Sequence, residues 1–226
     1  MGIELCRLGQ ADYRIVHDLQ LRLVAERLAG ELGDTVLLTE HPGVFTLGRR
    51  GGRAHLMVSE DFLAGQGIPL VHIERGGDIT YHGPGQLVIY PIIDLRRARM
   101  PLTDYVHSLE EVMLRLARDC RVDAVRDPRN HGIWSGGRKL GSVGIAVRHG
   151  VAFHGLALNV NLSLLPFSWI NPCGLCGVQM TSLAVETKAD VSLEQAGRFL
   201  PDHLQEIFAR PVTEIDRGSL LCREAA

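Results

Sequence analysis

The stretch K-L-G-S-V-G-I-A-V-R-H-G-V-A-F-H-G-L-A-L-N-V, residues 139–160, decides the fold class. Residues 139–147 and 151–160 are each long enough for a strand, and His149-Gly150 between them supplies turn chemistry. The pair reads as a β-hairpin. Working outward, residues 87–93 form a continuous apolar run, and shorter strand-like runs lie at 70–73, 44–47, 35–39 and 3–8. Between them fall helical stretches. Residues 12–32 place Tyr13, Val16, Leu19, Leu23 and Leu28 near one face, Ser59 reads as the N-cap of a short helix ending near residue 65 or 67, and Thr103 reads as the cap of a helix to about Asp119. A last helix opens at Ser192, where Ser-Leu-Glu-Gln fits a capping box, and runs to about Ala209. Isolated helices among strands, with a hairpin, predict an α+β layer fold around a mixed, largely antiparallel sheet with flanking helices. With no internal linker in view, residues 1–226 read as one domain.

The 226 residues are 46% hydrophobic, enough to bury a sizeable core without disulfides or metal. A formal net charge of −2 gives no reason to expect bulk attraction to nucleic acid or membranes. No signal-peptide pattern opens the chain, and no apolar run approaches the roughly 20 residues that span a bilayer. A cytoplasmic protein is expected. Five cysteines, Cys6, Cys120, Cys173, Cys176 and Cys222, are an odd number and scattered but for one pair, unlike a disulfide framework. Cys6 and Cys120 sit among apolar neighbours and read as core.

Three segments carry candidate chemistry. The first, R-G-G-D-I-T-Y-H-G-P-G-Q at 75–86, reads as a glycine-rich loop that brings backbone close to a ligand, with His82 as a titratable group. It fits neither phosphate-binding glycine pattern, and an ordinary turn-rich connection is an equal reading. The second, G-G-R-K-L-G-S-V-G at 136–144, opens a strand with Lys139. A strand-edge lysine is usually a solvated charge, whereas one inside a desolvated cavity loses preference for its ammonium form. The third, N-P-C-G-L-C-G at 171–177, sets Cys173 between Pro172 and Gly174. Cys-x-x-Cys admits a redox pair, but the βαβ context is missing; it admits half a zinc site, but no second ligand pair follows. A single nucleophilic thiol, with Cys176 incidental, remains.

Together these segments resemble the lipoyl(octanoyl) transferase family. The 75–86 segment matches that family's main signature, and H-P-G-V-F-T-L-G at 41–48, K-L-G-S-V-G at 139–144, F-H-G-L-A-L-N-V at 153–160 and N-P-C-G at 171–174 follow in the family's order. The resemblance covers about residues 40–183. It implies a fold shared with biotin and lipoate ligases, no cofactor or metal, and transfer of octanoyl from acyl carrier protein to lipoyl domains, those of 2-oxoacid dehydrogenase E2 subunits and the glycine cleavage H protein. It also implies Cys173 as acyl-thioester nucleophile and Lys139 as its partner. The acyl pocket would be lined by Arg75, Gly76, Gly77, Asp78, Ile79, Thr80, Tyr81, His82, Ser142, Val143, Gly144, Gly155, Leu156 and Ala157. Gly43 stands where a second proline is common in the family, and Cys176 where a small non-thiol residue is expected.

A free thiol near about 8.5 and a free lysine near about 10.4 are both mostly protonated at neutral pH. Held together in a dry pocket, a thiolate–ammonium pair stabilises itself and lowers the thiol pKa. Other readings stay open. On residue types alone His82 or His154 would be the default base for Cys173. An ATP-dependent lipoate or biotin ligase, a non-catalytic acyl- or lipoyl-binding protein, and a zinc module through Cys173 and Cys176 are further alternatives. For an acidic carrier, two local basic clusters are candidates: Arg49, Arg50 and Arg53, the better placed because they follow a motif segment, and Arg96, Arg97 and Arg99.

Overall fold

The computed structural model describes residues 2–171 and 177–221, so Cys173, Cys176 and Cys222 lie outside the described residues. The strands are β1 Ile3–Gln10, β2 Asp34–Glu40, β3 Val44–Leu47, β4 Leu70–His72, β5 Ile79–His82, β6 Gln86–Asp94, β7 Val125–Arg126, β8 Gly132–Ser135, β9 Arg138–Arg148, β10 Val151–Asn159 and β11 Val212–Ile215. The helices are α1 Tyr13–Ala29, α2 Glu60–Gly65, α3 Leu102–Asp119, α4 Leu183–Thr187, α5 Leu193–Ala196, α6 Leu200–Phe208 and α7 Arg217–Leu221. The main sheet has the order β11-β1-β2-β6-β10-β9-β8-β7, and a small second sheet has the order β4-β3-β5. In the main sheet β1 runs parallel to both β2 and β11, and every other neighbour pair is antiparallel. This is the mixed α+β sheet expected.

The hairpin forms as read: β9 and β10 pair from Val151↔Arg148 to Leu158↔Gly141. β6 is buried along its whole length because both faces are covered. On one face α3, α5 and α6 pack Tyr105, Leu109, Met113, Leu200 and Leu204 against Ile89, Ile93 and Leu156. On the other, α1 packs Val16, Leu19, Leu23 and Val24 against Val88, Tyr90 and Phe153. The stripe of α1 is completed by Gln20 and Arg27, which a count of apolar residues misses. Arg27 is buried because its Nε donates to Asp34 Oδ1 at 2.6 Å. Asp12 caps α1 through the amides of Arg14 and Ile15, and the helix stops where Gly30 turns left-handed at φ 83°.

Four local readings are corrected. The stretch 75–86 is not all loop: β5 lies within it, and Ile79-Thr80-Tyr81-His82 alternates between two faces. α3 begins at Leu102 behind Pro101, with no side-chain cap, and the Thr103 hydroxyl turns to Asp104 instead. The capping box at Ser192 is present, but the final helix breaks into α5 and α6, since Gly197 ends the first and Pro201 can start but not continue a helix. The irregular 161–177 stretch contains a 3-10 turn, Leu165–Trp169. Cys6 is buried in the α1 core and Cys120 packs partly buried against the α3 core. No helix among the described residues is long and apolar enough to cross a membrane.

Candidate active site

The strand pairing that closes the small sheet also builds one wall of a cavity of about 760 Å³. Beyond β3, the amides of Gly48, Arg49 and Arg50 donate to the carbonyls of Asp78, Arg75 and Gly77 at 3.2, 2.9 and 3.1 Å, and Gly76 N donates to Ile145 O of β9 at 2.8 Å. The glycine-rich segment is therefore stitched between the two sheets. A side chain at residue 48 would stand within 2.6 Å of the Gly77 carbonyl, so only glycine allows this approach. Arg75 is buried; its Nη2 donates to the carbonyl and hydroxyl of Thr46 at 2.8 and 2.9 Å. Asp78 accepts from Ile79 N at 2.7 Å and pairs with His55. Arg75 and Asp78 thus fix the shape of the segment as well as lining the cavity.

The opposite wall is the hairpin. Ser142, Val143 and Gly144 of β9 lie directly across from Ala157, Leu156 and Gly155 of β10, so the two trios read from sequence are cross-strand partners. His154 falls in register with Pro91 of β6, which has no N–H to offer, and the β10–β6 ladder is interrupted between Ala152 and Leu156. There His154 takes φ 55°, and its amide donates to the buried Gln20 Oε1 at 2.9 Å instead.

A chain of hydrogen bonds runs beneath the cavity. Asn159 Nδ2 donates to Thr181 O at 2.9 Å, Gln86 Nε2 donates to Asn159 Oδ1 at 2.9 Å, and Gln86 Oε1 therefore accepts from His82 Nδ1 at 2.7 Å. His82 is a neutral Nδ1–H tautomer: burial, and then the neighbouring His41, hold its pKa down to about 3. His41 donates from Nδ1 to Ala11 O at 2.7 Å and accepts at Nε2 from the Tyr90 hydroxyl at 2.8 Å. Burial lowers its pKa too. Tyr13 stacks on His82 with ring centroids 5.8 Å apart. His41, His82, Tyr13 and Tyr90 thus present neutral aromatic and imidazole rings, beside the buried Arg75.

Lys139 is buried at the start of β9, and is not a solvated edge charge. Its Nζ donates to Asn130 Oδ1 at 3.1 Å and to His131 O at 3.2 Å, and lies 5.4 Å from the Trp134 ring centroid. Both oxygens belong to a loop anchored by Glu110 of α3, which accepts from Gly132 N at 3.0 Å and pairs with Arg126 at 3.2 Å. The backbone of Lys139 is equally constrained, since Lys139 N donates to Gln179 O and Thr181 N donates to Lys139 O. On the other side, Asn171 N donates to His55 O at 2.9 Å. The chain that carries Cys173 therefore leaves the described residues beside His55, which lines the cavity, and re-enters them at Gly177, two residues before Gln179, which pairs with Lys139.

Of the residues read as lining the pocket, Arg75, Gly76, Gly77, Asp78, Thr80, His82, Ser142, Val143, Gly144, Gly155, Leu156 and Ala157 do line the cavity. Ile79 and Tyr81 do not. The β5 alternation turns them into the core of the small sheet with Phe45, Leu47 and Phe167. Lys139 stands behind Asn130 and His131, which line the wall. Cys173 lies outside the described residues. Tyr13, Gln86, Tyr90, Asn130 and Asn159 were missed. Gln86 and Asn159 stand inside the motif segments at 75–86 and 153–160, a signal that could have found them, whereas Tyr13, Tyr90 and Asn130 are singled out only by the tertiary approach of their elements.

A two-sheet α+β architecture with a cavity walled by a glycine-rich segment and a hairpin defines a chain of the lipoate and biotin ligase fold. Solved structures agree: a bipartite lipoate protein ligase with its E2 lipoyl domain from Thermoplasma acidophilum superposes with TM-score 0.75 at 18% identity, covering 99% of this chain and 91% of that one. A biotin protein ligase from Aquifex aeolicus gives TM-score 0.57 at 13% identity, covering 91% and 70%. Residues 12–205 match the family described as lipoyl protein ligase A/B catalytic domain, and the chain belongs to that family. Among curated relatives, an octanoyltransferase from Desulfotalea psychrophila is 53% identical over 90% of this chain and 93% of its own length. One from Syntrophobacter fumaroxidans is 47% identical over 91% and 90%. The chain is an acyltransferase.

Proposed function

We propose that this chain, as one catalytic domain, moves an octanoyl group from octanoyl-acyl carrier protein to a lysine of a lipoyl domain through a thioester on Cys173. Lipoyl domains of 2-oxoacid dehydrogenase E2 subunits and the glycine cleavage H protein are the acceptors. The observation that carries the reading is the placement of Lys139, a buried amine held by Asn130 and His131 O and bonded through its backbone to Gln179 and Thr181. A buried ammonium is stabilised by an anionic neighbour and can give up a proton in the reaction; a Cys173 thiolate would be such a neighbour, and the departing carrier thiolate would take the proton.

The steps balance without a cofactor. The Cys173 thiolate attacks the carrier thioester, and the departing carrier thiolate takes a proton from the Lys139 ammonium. An acceptor amine arriving neutral then attacks the Cys173 thioester and gives its proton to Lys139. The C–S bond breaks, and the thiolate–ammonium pair is restored. Thioester exchange is nearly isoenergetic, so amide formation draws the sequence forward. His82 is a poor alternative base, because its pKa near 3 makes it a weak proton acceptor and Nδ1 already donates to Gln86.

The testing experiment is transfer from octanoyl-carrier protein to a purified lipoyl domain with and without ATP. Transfer in its absence supports this reading, and a strict ATP requirement would replace it with an adenylating ligase.

A further inference from the structure

Outside the Lys139 corner, three ligand-type side chains from three elements converge beside the cavity, with His154 the one that also lines it. His17 extends from α1 one turn beyond Tyr13, Glu74 immediately precedes Arg75, and His154 is the β10 residue at the interrupted ladder. One donor atom from each lies within 4.8 Å of the other two. Glu74 Oε2 is 3.0 Å from His17 Nε2 and 3.7 Å from His154 Nε2. The imidazoles face each other nearly parallel, with centroids 5.6 Å apart.

The strained member is His154. It is 1% exposed, its backbone sits at φ 55°, and Nε2 has no hydrogen-bond partner among the described residues. At 3.7 Å the Glu74 oxygen is too far to be one. A buried, unsatisfied ring nitrogen aimed at a carboxylate oxygen calls for something between them. Two imidazoles and one carboxylate are a zinc donor set, and bonds of about 2.0–2.2 Å in tetrahedral geometry place ligand atoms roughly 3.4 Å apart. The two distances from Glu74 bracket that value.

We propose that His17, Glu74 and His154 form a binding site for a divalent transition-metal ion, zinc being the best match, which braces the cavity wall behind His154. Arg148 approaches the other carboxylate oxygen, Oε1, at 3.8 Å. It leaves Oε2 available, and as a half-exposed side chain it can withdraw. Gln20 holds the His154 amide, so α1 supplies one ligand and orients another. The ion would tie α1, the residue before the glycine-rich segment and β10 to one point. It is not the Cys-x-x-Cys zinc module and plays no part in acyl transfer chemistry.

The test reads metal binding, not activity, so it stands apart from the proposed function. Protein carrying Cys173→Ser, Cys176→Ser and Cys222→Ser is titrated with zinc, and separately with cobalt. The site predicts one equivalent bound, cobalt d–d bands without a thiolate charge-transfer band, and a thermal midpoint that rises with zinc. His17→Ala and Glu74→Gln, both off the cavity lining, should each weaken zinc binding tenfold or more and abolish the midpoint shift. The exposed-histidine control His72→Ala should change neither. No binding in the cysteine-substituted protein, a thiolate band, or undiminished affinity in both ligand variants would overturn the proposal.

Discussion

Asn130 Oδ1 accepts from Lys139 Nζ at 3.1 Å, and through that contact a loop secured by Glu110 fixes where the buried amine points. The amine is thus positioned before substrate arrives. Lys139→Met keeps the stem and removes the charge, and should lower transfer by roughly 10²–10⁴-fold with little change in far-ultraviolet circular dichroism. Lys139→Arg should fail too, because a guanidinium holds its proton at working pH. Near-normal turnover in the arginine variant would leave Lys139 an electrostatic partner only.

Glu110→Gln should lower kcat more than it raises KM for the carrier, since Glu110 holds the loop that carries Asn130 and His131 while it and its partner Arg126 also line the cavity. A kinetic split the other way, or none, would separate the loop from the chemistry.

Gly155 is a packing requirement. A Cβ there would lie 2.2 Å from Ile89 O and 2.7 Å from Pro91 Cδ, both on the rigid central strand β6. Gly155→Ala should cost about 1–3 kcal/mol, read by denaturant unfolding, and should impair acyl binding because the displaced strand is the cavity wall.

How much of this was legible in the sequence depends on the range of the contact. The β9–β10 hairpin was readable because strand pattern and turn chemistry are local, whereas the pocket trios 142–144 and 155–157 came from the family resemblance alone, and the structure's hairpin register sets them opposite each other. β5 was hidden by glycines on both sides, and with it the alternation that sends Ile79 and Tyr81 into a core instead of the cavity. β7, β8 and β11 are as short as β3 and β4 but lack their apolar runs: β7 is Val125–Arg126, β11 carries Thr213 and Glu214, and β8 opens on Gly132 and ends beside Gly136 and Gly137. Whether Lys139 was solvated or buried turned on Asn130, His131 and Thr181, which only the folded chain brings to it.

The neutral histidines give stability a pH dependence. His82 has a folded pKa of about 3 against an ordinary value near about 6.5. Above about 6.5 it is neutral in both states and contributes no slope. As pH falls from there toward 3, the unfolded chain binds a proton that the folded chain refuses, so stability declines by up to about 1.4 kcal/mol per pH unit from this residue. His41, shifted the same way by burial, adds to it. Urea unfolding between pH 7 and 4 should show the decline, and His82→Gln should flatten it. An unchanged slope in the variant would mean that His82 titrates freely.

Arg50 lines the cavity and Arg49 stands exposed beside it, whereas Arg96 and Arg99 border a separate groove with Leu95 and Leu102. Arg49→Glu with Arg50→Glu should therefore raise the KM for octanoyl-carrier protein and weaken its salt dependence, with octanoyl-coenzyme A much less affected. Unchanged carrier kinetics at low salt would rule out this rim as the docking site.

Covalent catalysis by Cys173 is tested most directly by intact mass after incubation with octanoyl-carrier protein, without acceptor and without ATP. The account predicts one octanoyl group per chain, removed by hydroxylamine and mapped to Cys173. It should be absent from Cys173→Ser and retained in Cys176→Ser. An unmodified wild-type chain that still transfers octanoyl to a lipoyl domain, or an adduct that survives Cys173→Ser, would contradict it.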